Sequence, residues 1–306
     1  MKNLARCGCK MWLKCLKNIE DSIIREISDR KYSRYYFAVL YKLYRFPVTN
    51  FLRLRSFCKP NIISKGKIQN IYHATVQKTG SQWIKAIFSD KRIMKQTGLR
   101  VYPQHGYDTG EFHKKFPQYT FVPGLYLPYE LYREIKKPRR YKTFYVIRDP
   151  QNVVVSWYRS MKYSHRPNKK VLEYREQLKG LSTEEGINFC IRVFLVNLMY
   201  MKSWAYLCDD SNVLFVRFED LTSSPFDGFK RIFEHCEIDI SDWLLRRILD
   251  DYSKDKMRER DLARRRVQES NYSMKKSDWR KVFSKRNEEF FYQATGDLVK
   301  ILGYEK

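Results

Sequence analysis

The 306-residue chain is short of acids, with 34 Asp and Glu against 60 Lys and Arg, a formal net charge of +26. That imbalance leaves the fold open but predicts an anionic partner, whether nucleotide phosphate, nucleic acid, acidic glycan or anionic lipid surface. A merely solubilising surface needs far less charge. The chain has no run of eighteen apolar residues, so no membrane span is expected. It has no sustained heptads and no repeat of fixed period, which excludes a coiled coil and a solenoid. Its seven cysteines are odd in number, fit no common zinc spacing and follow no secretory signal, so reduced thiols in a cytoplasmic compartment are the expectation. The five histidines leave few side chains that titrate near neutral pH. The spacing GxxxxGK[ST] and a Mg²⁺-binding pattern are both missing, which argues against a small-molecule or nucleotide kinase.

What is present divides into two textures. Residues 1–67 hold sixteen Lys and Arg, only four acids, and no glycine between Gly8 and Gly66. Within them, residues 21–46 read as a helix stopped by Pro47, and residues 35–57 mix aromatics, Leu and Arg as interfacial helices do. This segment is expected to be a basic, aromatic-rich helical extension, its aromatics either packed on the neighbouring domain or in contact with a membrane surface.

From residue 68 to 306 short apolar runs alternate with helical patterns. Residues 71–76, 119–122, 143–147 and 213–218 read as strands. Residues 81–88, 150–161, 225–235, 242–266 and 287–302 read as helices, with Ser241 as an N-cap and Gly303 as a C-cap. Ser182-Thr-Glu-Glu185 is a capping box opening a long helix to about Leu207. Buried strands separated by helices imply an α/β fold, a central parallel sheet flanked by helices.

Two junctions carry chemistry. In His73-Ala-Thr-Val-Gln-Lys-Thr-Gly-Ser-Gln-Trp83 a strand ends, turns at Lys78-Thr79-Gly80 and starts a helix. Backbone N–H groups at a helix start, joined by Lys and hydroxyl side chains, cradle an anion, and Gly80 permits close approach. In Tyr145-Val-Ile-Arg148-Asp-Pro150-Gln-Asn-Val-Val-Val-Ser156 a second strand delivers Arg148 to the sheet edge, Pro150 suits a first helical turn and Ser156 follows about two turns along. The Arg148 fork suits a phosphate.

Lys78-Thr-Gly-Ser-Gln-Trp83 resembles the 5′-phosphosulfate loop of sulfotransferases that use PAPS (3′-phosphoadenosine 5′-phosphosulfate), usually Pro-Lys-Ser/Thr-Gly-Thr-Thr-Trp, with Gln77 in place of Pro and Gln82 in place of a hydroxyl residue. The Arg148 to Ser156 segment looks like that family's 3′-phosphate motif. Val216-Arg-Phe218-Glu-Asp-Leu221 is similar to its Tyr-Glu-Asp-Leu strand end near adenine, and Lys275-Lys276-Ser-Asp-Trp279 to the loop that closes over the 3′-phosphate, shortened and without its glycines. The terminal Leu302-Gly-Tyr fits bacterial-type members, so the resemblance spans about residues 68–304.

The resemblance implies a P-loop NTPase-like sulfotransferase fold and sulfuryl transfer from PAPS, leaving PAP (the desulfated product), without a metal. It places Lys78 on the 5′-phosphate and bridging oxygen, Thr79, Gly80, Ser81 and Gln82 around that phosphate, and Trp83 and Phe218 beside adenine. Arg148, Ser156, Lys275 and Lys276 fall on the 3′-phosphate, with Arg264 to Arg266 as substitutes for the lysines. One position departs from the pattern. Cytosolic members carry a catalytic His in Lys-x-His-Leu-Pro, and the matching Gly124-Leu-Tyr126-Leu-Pro128 has a phenol there. Glycan-type members use a Glu or His a few tens of residues after the loop, which makes His105 the first candidate base and Asp108, Glu111 and His113 the next. The expected acceptor is a hydroxyl (or amine), on an anionic glycan or at a membrane rather than on nucleic acid, in a cytoplasmic protein with peripheral membrane contact through residues 1–60. The rival reading is a nucleotide- or polyanion-binding pseudoenzyme of the same fold.

Overall fold

The computed structural model describes residues 68–102, 115–165, 167–265 and 278–305; the proposed extension 1–67 lies outside them. Five parallel strands form one sheet, β1 (Asn70–Thr75), β2 (Arg100–Val101), β3 (Thr120–Leu125), β4 (Tyr141–Ile147) and β5 (Val213–Arg217), in the order β2-β3-β1-β4-β5. Every residue of β1 is buried, as the continuous apolar run requires of a strand covered on both faces.

Alternation along the strands splits the core in two. On one face Ile71, Phe121, Phe144 and Val146 meet helix α1 (Ser81–Phe88), and the Phe88 ring stacks on Phe121 at 4.1 Å. On the other, Tyr72, Val122 and Tyr145 pack under α6 (Thr183–Leu207), with Tyr145 stacked on Trp204 at 4.4 Å. The Ser182–Glu185 capping box forms as expected and starts a helix of 25 residues, about 37 Å long at 1.5 Å per residue.

Between these lie α2 (Lys91–Thr97), α3 (Tyr129–Glu134), α4 (Pro150–Arg159) continued by a π turn (Ser160–Ser164), and α5 (Lys169–Leu178). After β5 come α7 (Phe218–Ser223), α8 (Pro225–His235), α9 (Asp242–Asp251) and α10 (Lys254–Arg265). A 3₁₀ turn (Trp279–Lys281), α11 (Lys285–Thr295) and α12 (Leu298–Ile301) close the chain.

Four expectations need correction. The helix read over residues 242–266 is two, because the Tyr252 carbonyl is taken by the Trp83 indole N–H at 2.8 Å and the next helix restarts from Ser253. The helix read over 287–302 begins earlier, at Lys285, where Ser284 and Asn287 form a capping box. It breaks at Gly296, whose φ of 62° and ψ of −129° no L side chain accommodates. Strand β5 ends at Arg217 and Phe218 already opens α7. The short helices α2, α3 and α5 carried signals that went unread, such as the Asp90 N-cap and the left-handed Gly98 that bound α2.

Asn287 ties α11 to α6. Fully buried, it donates to the Glu184 carbonyl at 2.9 Å and the Asn188 side chain at 2.8 Å while completing its own capping box. Asn287→Ala is therefore expected to lower stability by about 1–3 kcal/mol. For a domain of this size that is a fall in Tm of roughly 2–12 °C, readable by differential scanning calorimetry.

Candidate functional site

The C-terminal ends of β1, β3 and β4 converge on one edge of the sheet, the place where open parallel sheets bind ligands. β1 ends at Thr75, and the turn into α1 holds Lys78 at φ 73° and Gly80 at φ 82°. The loop braces itself internally. The Thr79 hydroxyl, fully buried, lies 2.8 Å from the Val76 carbonyl and 2.5 Å from the Thr75 hydroxyl, which also reaches the Val146 carbonyl on β4 at 2.7 Å. Thr79 thus turns its side chain inward, leaving its backbone to face a ligand. No side chain caps α1, so its first-turn N–H groups form an anion-attracting end with Lys78 beside them.

Gly80 is also a contact point. A Cβ there would sit 2.8 Å from the Phe218 ring. The same ring is in reach of the Arg148 guanidinium, 4.6 Å from its centroid. Phe218 is thus wedged where the two loops meet. Trp83 is half-buried, edge-on to Phe229 at 5.1 Å.

Arg148, only 8% exposed, follows β4 and donates to the Lys78 carbonyl at 2.6 Å. Burial pulls its pKa down; the Glu219 and Asp149 carboxylates pull it back up. Asp149 caps α4 by accepting from the Gln151 and Asn152 N–H groups, and burial pushes its carboxyl above the ordinary range while those hydrogen bonds resist. Ser156 sits half-buried on α4.

Two further segments lock this turn. The Glu219 carboxylate accepts from the Asp149 N–H at 3.2 Å and from the Tyr304 hydroxyl at 2.7 Å. Arg217 reaches the Gly303 carbonyl at 2.9 Å and lies over the Tyr304 ring, so the terminal Leu-Gly-Tyr is fastened behind Arg148. Trp279 donates its indole N–H to Asp149 at 3.1 Å and its backbone N–H to Asn152 at 3.0 Å. The sequence named these residues in motifs but held no signal of their pairing, since partners lie 70 to 130 positions apart.

Tyr126 comes just after β3. The pairing of β1 with β3 slips between Tyr72 and Ala74, opposite Gly124 at φ 63°, and this bulge redirects the strand end. The Tyr126 hydroxyl meets the Ser81 hydroxyl at 2.5 Å. The following segment is pinned to α6, where Trp204 donates to the Leu127 carbonyl at 2.9 Å and Tyr129 N–H donates to Ser203 at 2.9 Å.

His105, Asp108, Glu111, His113, Lys275, Lys276 and Arg266 lie outside the described residues. His73 is buried in β1 and stacks on Phe144 at 4.9 Å. His235 ends α8 half-buried, its Nε2 2.9 Å from the Thr143 carbonyl and its pKa lowered by burial. Among the described residues no group of three His, Cys, Asp or Glu is placed to hold a metal, and no helix is long and apolar enough to cross a membrane.

A family model described as a sulfotransferase domain matches residues 69–303. Among solved structures, the chain is similar to mouse sulfotransferase SULT7A1 complexed with PAP, with a TM-score of 0.53 and 17% identity over 76% of this chain and 84% of that one. Retinol dehydratase in complex with androsterone and inactive cofactor PAP aligns with a TM-score of 0.46 and 14% identity, over 81% and 85% of the two chains. The first of these likenesses bears on the fold.

Gly80→Ala is expected to lower stability by about 1–2 kcal/mol through backbone strain alone, with an added loss from the Phe218 ring. Made in a Phe218→Ala background, the same change should cost less. Thermal melts of the four-member cycle check this, and equal costs in both backgrounds would refute the wedge.

Proposed function

Since the chain belongs to the sulfotransferase domain family, we propose that it transfers a sulfuryl group from PAPS to a hydroxyl or amine and releases PAP. The observation that supports the reading is the hydrogen bond from Arg148 to the Lys78 carbonyl, which holds together the loops that follow two separate strand ends. A donor with phosphate groups at both ends of its ribose needs two such loops held at a fixed spacing.

In this reading the α1 N-terminus and the backbone of Thr79 to Gln82 take the 5′-phosphate, and Lys78 offsets charge developing on the bridging oxygen as the S–O bond breaks. Arg148 and Ser156 take the 3′-phosphate, with Lys275 and Lys276 from the segment leading into Trp279. Phe218 and Trp83 offer rings to adenine. For the acceptor proton the sequence offers His105, and the described residues offer the Tyr126 hydroxyl.

The acceptor is read as anionic or membrane-borne, a glycan or lipid, because +26 exceeds what the donor site alone requires. Residues 1–67 are read as a unit separate from the catalytic domain 68–306. Residues 1–60, with fourteen Lys and Arg against four acids, are read as a tether to an anionic surface.

Lys78→Ala and Arg148→Ala are each expected to weaken PAP binding by about 1.5–3 kcal/mol, on the order of 10- to 150-fold. Calorimetry on folded variants decides, and unchanged affinity would refute the site. Turnover of radiolabelled PAPS on mixed acceptors separates an enzyme from a pseudoenzyme, which binds PAP without reacting. Each Lys or Arg at an anionic membrane contributes ~1 kcal/mol, so the full chain should cosediment with anionic vesicles and release at high salt. Equal binding to neutral vesicles refutes the tether.

A further inference from the structure

We propose that the Tyr126 and Ser81 hydroxyls form a proton relay that carries the acceptor's proton to the departing 5′-phosphate. The proposal rests on the donor reading above and deepens it by naming the proton's route. Three observations carry it. The bulge at Gly124 turns the end of β3 so that Tyr126 meets Ser81, on the first turn of the anion-binding helix, at 2.5 Å. Ser81 is 6% exposed and Tyr126 half-buried, so the serine end of the pair is withdrawn from bulk water while the phenol stays within reach of an acceptor. The segment is fixed on its far side by Trp204 to the Leu127 carbonyl and Tyr129 N–H to Ser203, so Tyr126 has its position set before any substrate arrives.

A phenol titrating near pKa ~10 is a poor stationary base at neutral pH. A relay does not ask it to be one. As the acceptor oxygen bonds to sulfur, its O–H proton passes to the Tyr126 oxygen. Tyr126 gives its own proton to Ser81, and Ser81 gives its own to a non-bridging or newly freed oxygen of the 5′-phosphate. The S–O bond to that phosphate breaks, its electron pair staying on the phosphate. Both hydroxyls end neutral. The donor's phosphosulfate, carrying two negative charges, becomes a sulfate ester with one and a protonated phosphate with one, so atoms and charge balance. The terminal acceptor is adequate, because a phosphate monoester has a second pKa of ~6, close to that of imidazole at ~6.5. The leaving group supplies in the same step the base that a phenol is not.

The test runs on the full chain with an acceptor found by the mixed screen. Tyr126→Phe should lower kcat by roughly 10²- to 10³-fold while PAP affinity by calorimetry stays within about threefold. The wild-type kcat should be flat from about pH 6 to 9 and show a solvent isotope effect with a curved proton inventory, since more than one proton moves. Tyr126→His, which places a titratable base at the same spot, should recover turnover and introduce an acid limb near pH 6.5. Ser81→Ala provides a second break in the chain, and it should abolish the curvature of the proton inventory in whatever turnover remains. An acid limb near 6.5 in the wild type, or undiminished turnover by Tyr126→Phe with PAP still bound, overturns the relay alone. Failure of the wild-type chain to bind PAP overturns the donor reading and the relay with it.

Discussion

The Arg148 guanidinium, nearly buried and reaching across to the Lys78 carbonyl, is the contact on which the site's layout depends. A cation withdrawn from water needs hydrogen bonds and counter-charge around it, and removing either is costly. Here the carbonyl of the neighbouring loop accepts, the Phe218 ring offers its face, and Glu219 and Asp149 supply negative charge. Those same groups hold the turn that positions Arg148. Binding two loops to one buried charge makes their spacing a property of the fold rather than of a ligand.

The sheet makes that arrangement available. β1 and β4 are hydrogen-bonded neighbours in parallel register, Thr75 opposite Val146, so their loops leave the same edge a strand spacing apart. The surrounding clamps come from distant parts of the chain: Glu219 and Tyr304 on one side, Trp279 on the other. Their joint effect is that Asp149 has its backbone N–H and both side-chain oxygens engaged. A carboxylate so occupied caps α4 firmly despite the desolvation that raises its pKa.

The third strand end, β3, serves a different purpose. A regular strand would carry Tyr126 along in register, but the slip opposite Gly124 re-aims it toward α1. The Lys78–Gly80 turn is consequently approached by hydroxyls from within, at Thr75 and Thr79, and from the side, at Tyr126. Only the second set is left for the proposed relay. The first is consumed in holding the loop's shape.

The sequence by itself determined the class of fold and the two strand–turn–helix junctions on which the proposed donor site is built. Buried parallel strands are unbroken apolar runs, and a strand–turn–helix junction with Lys78 or Arg148 is written in consecutive residues. The Ser182–Glu185 capping box and Gly303 were local in the same way. Where two signals competed, local reading failed: nothing adjacent to Tyr252 announces that Trp83 will take its carbonyl and split the helix. The inward turn of Thr79, the Glu219–Tyr304 clamp and the meeting of Tyr126 with Ser81 were decided by the tertiary structure alone. Each joins groups whose hydrogen-bonding capacity is visible in the sequence but whose choice of partner is settled only when packing removes water and leaves one partner within reach.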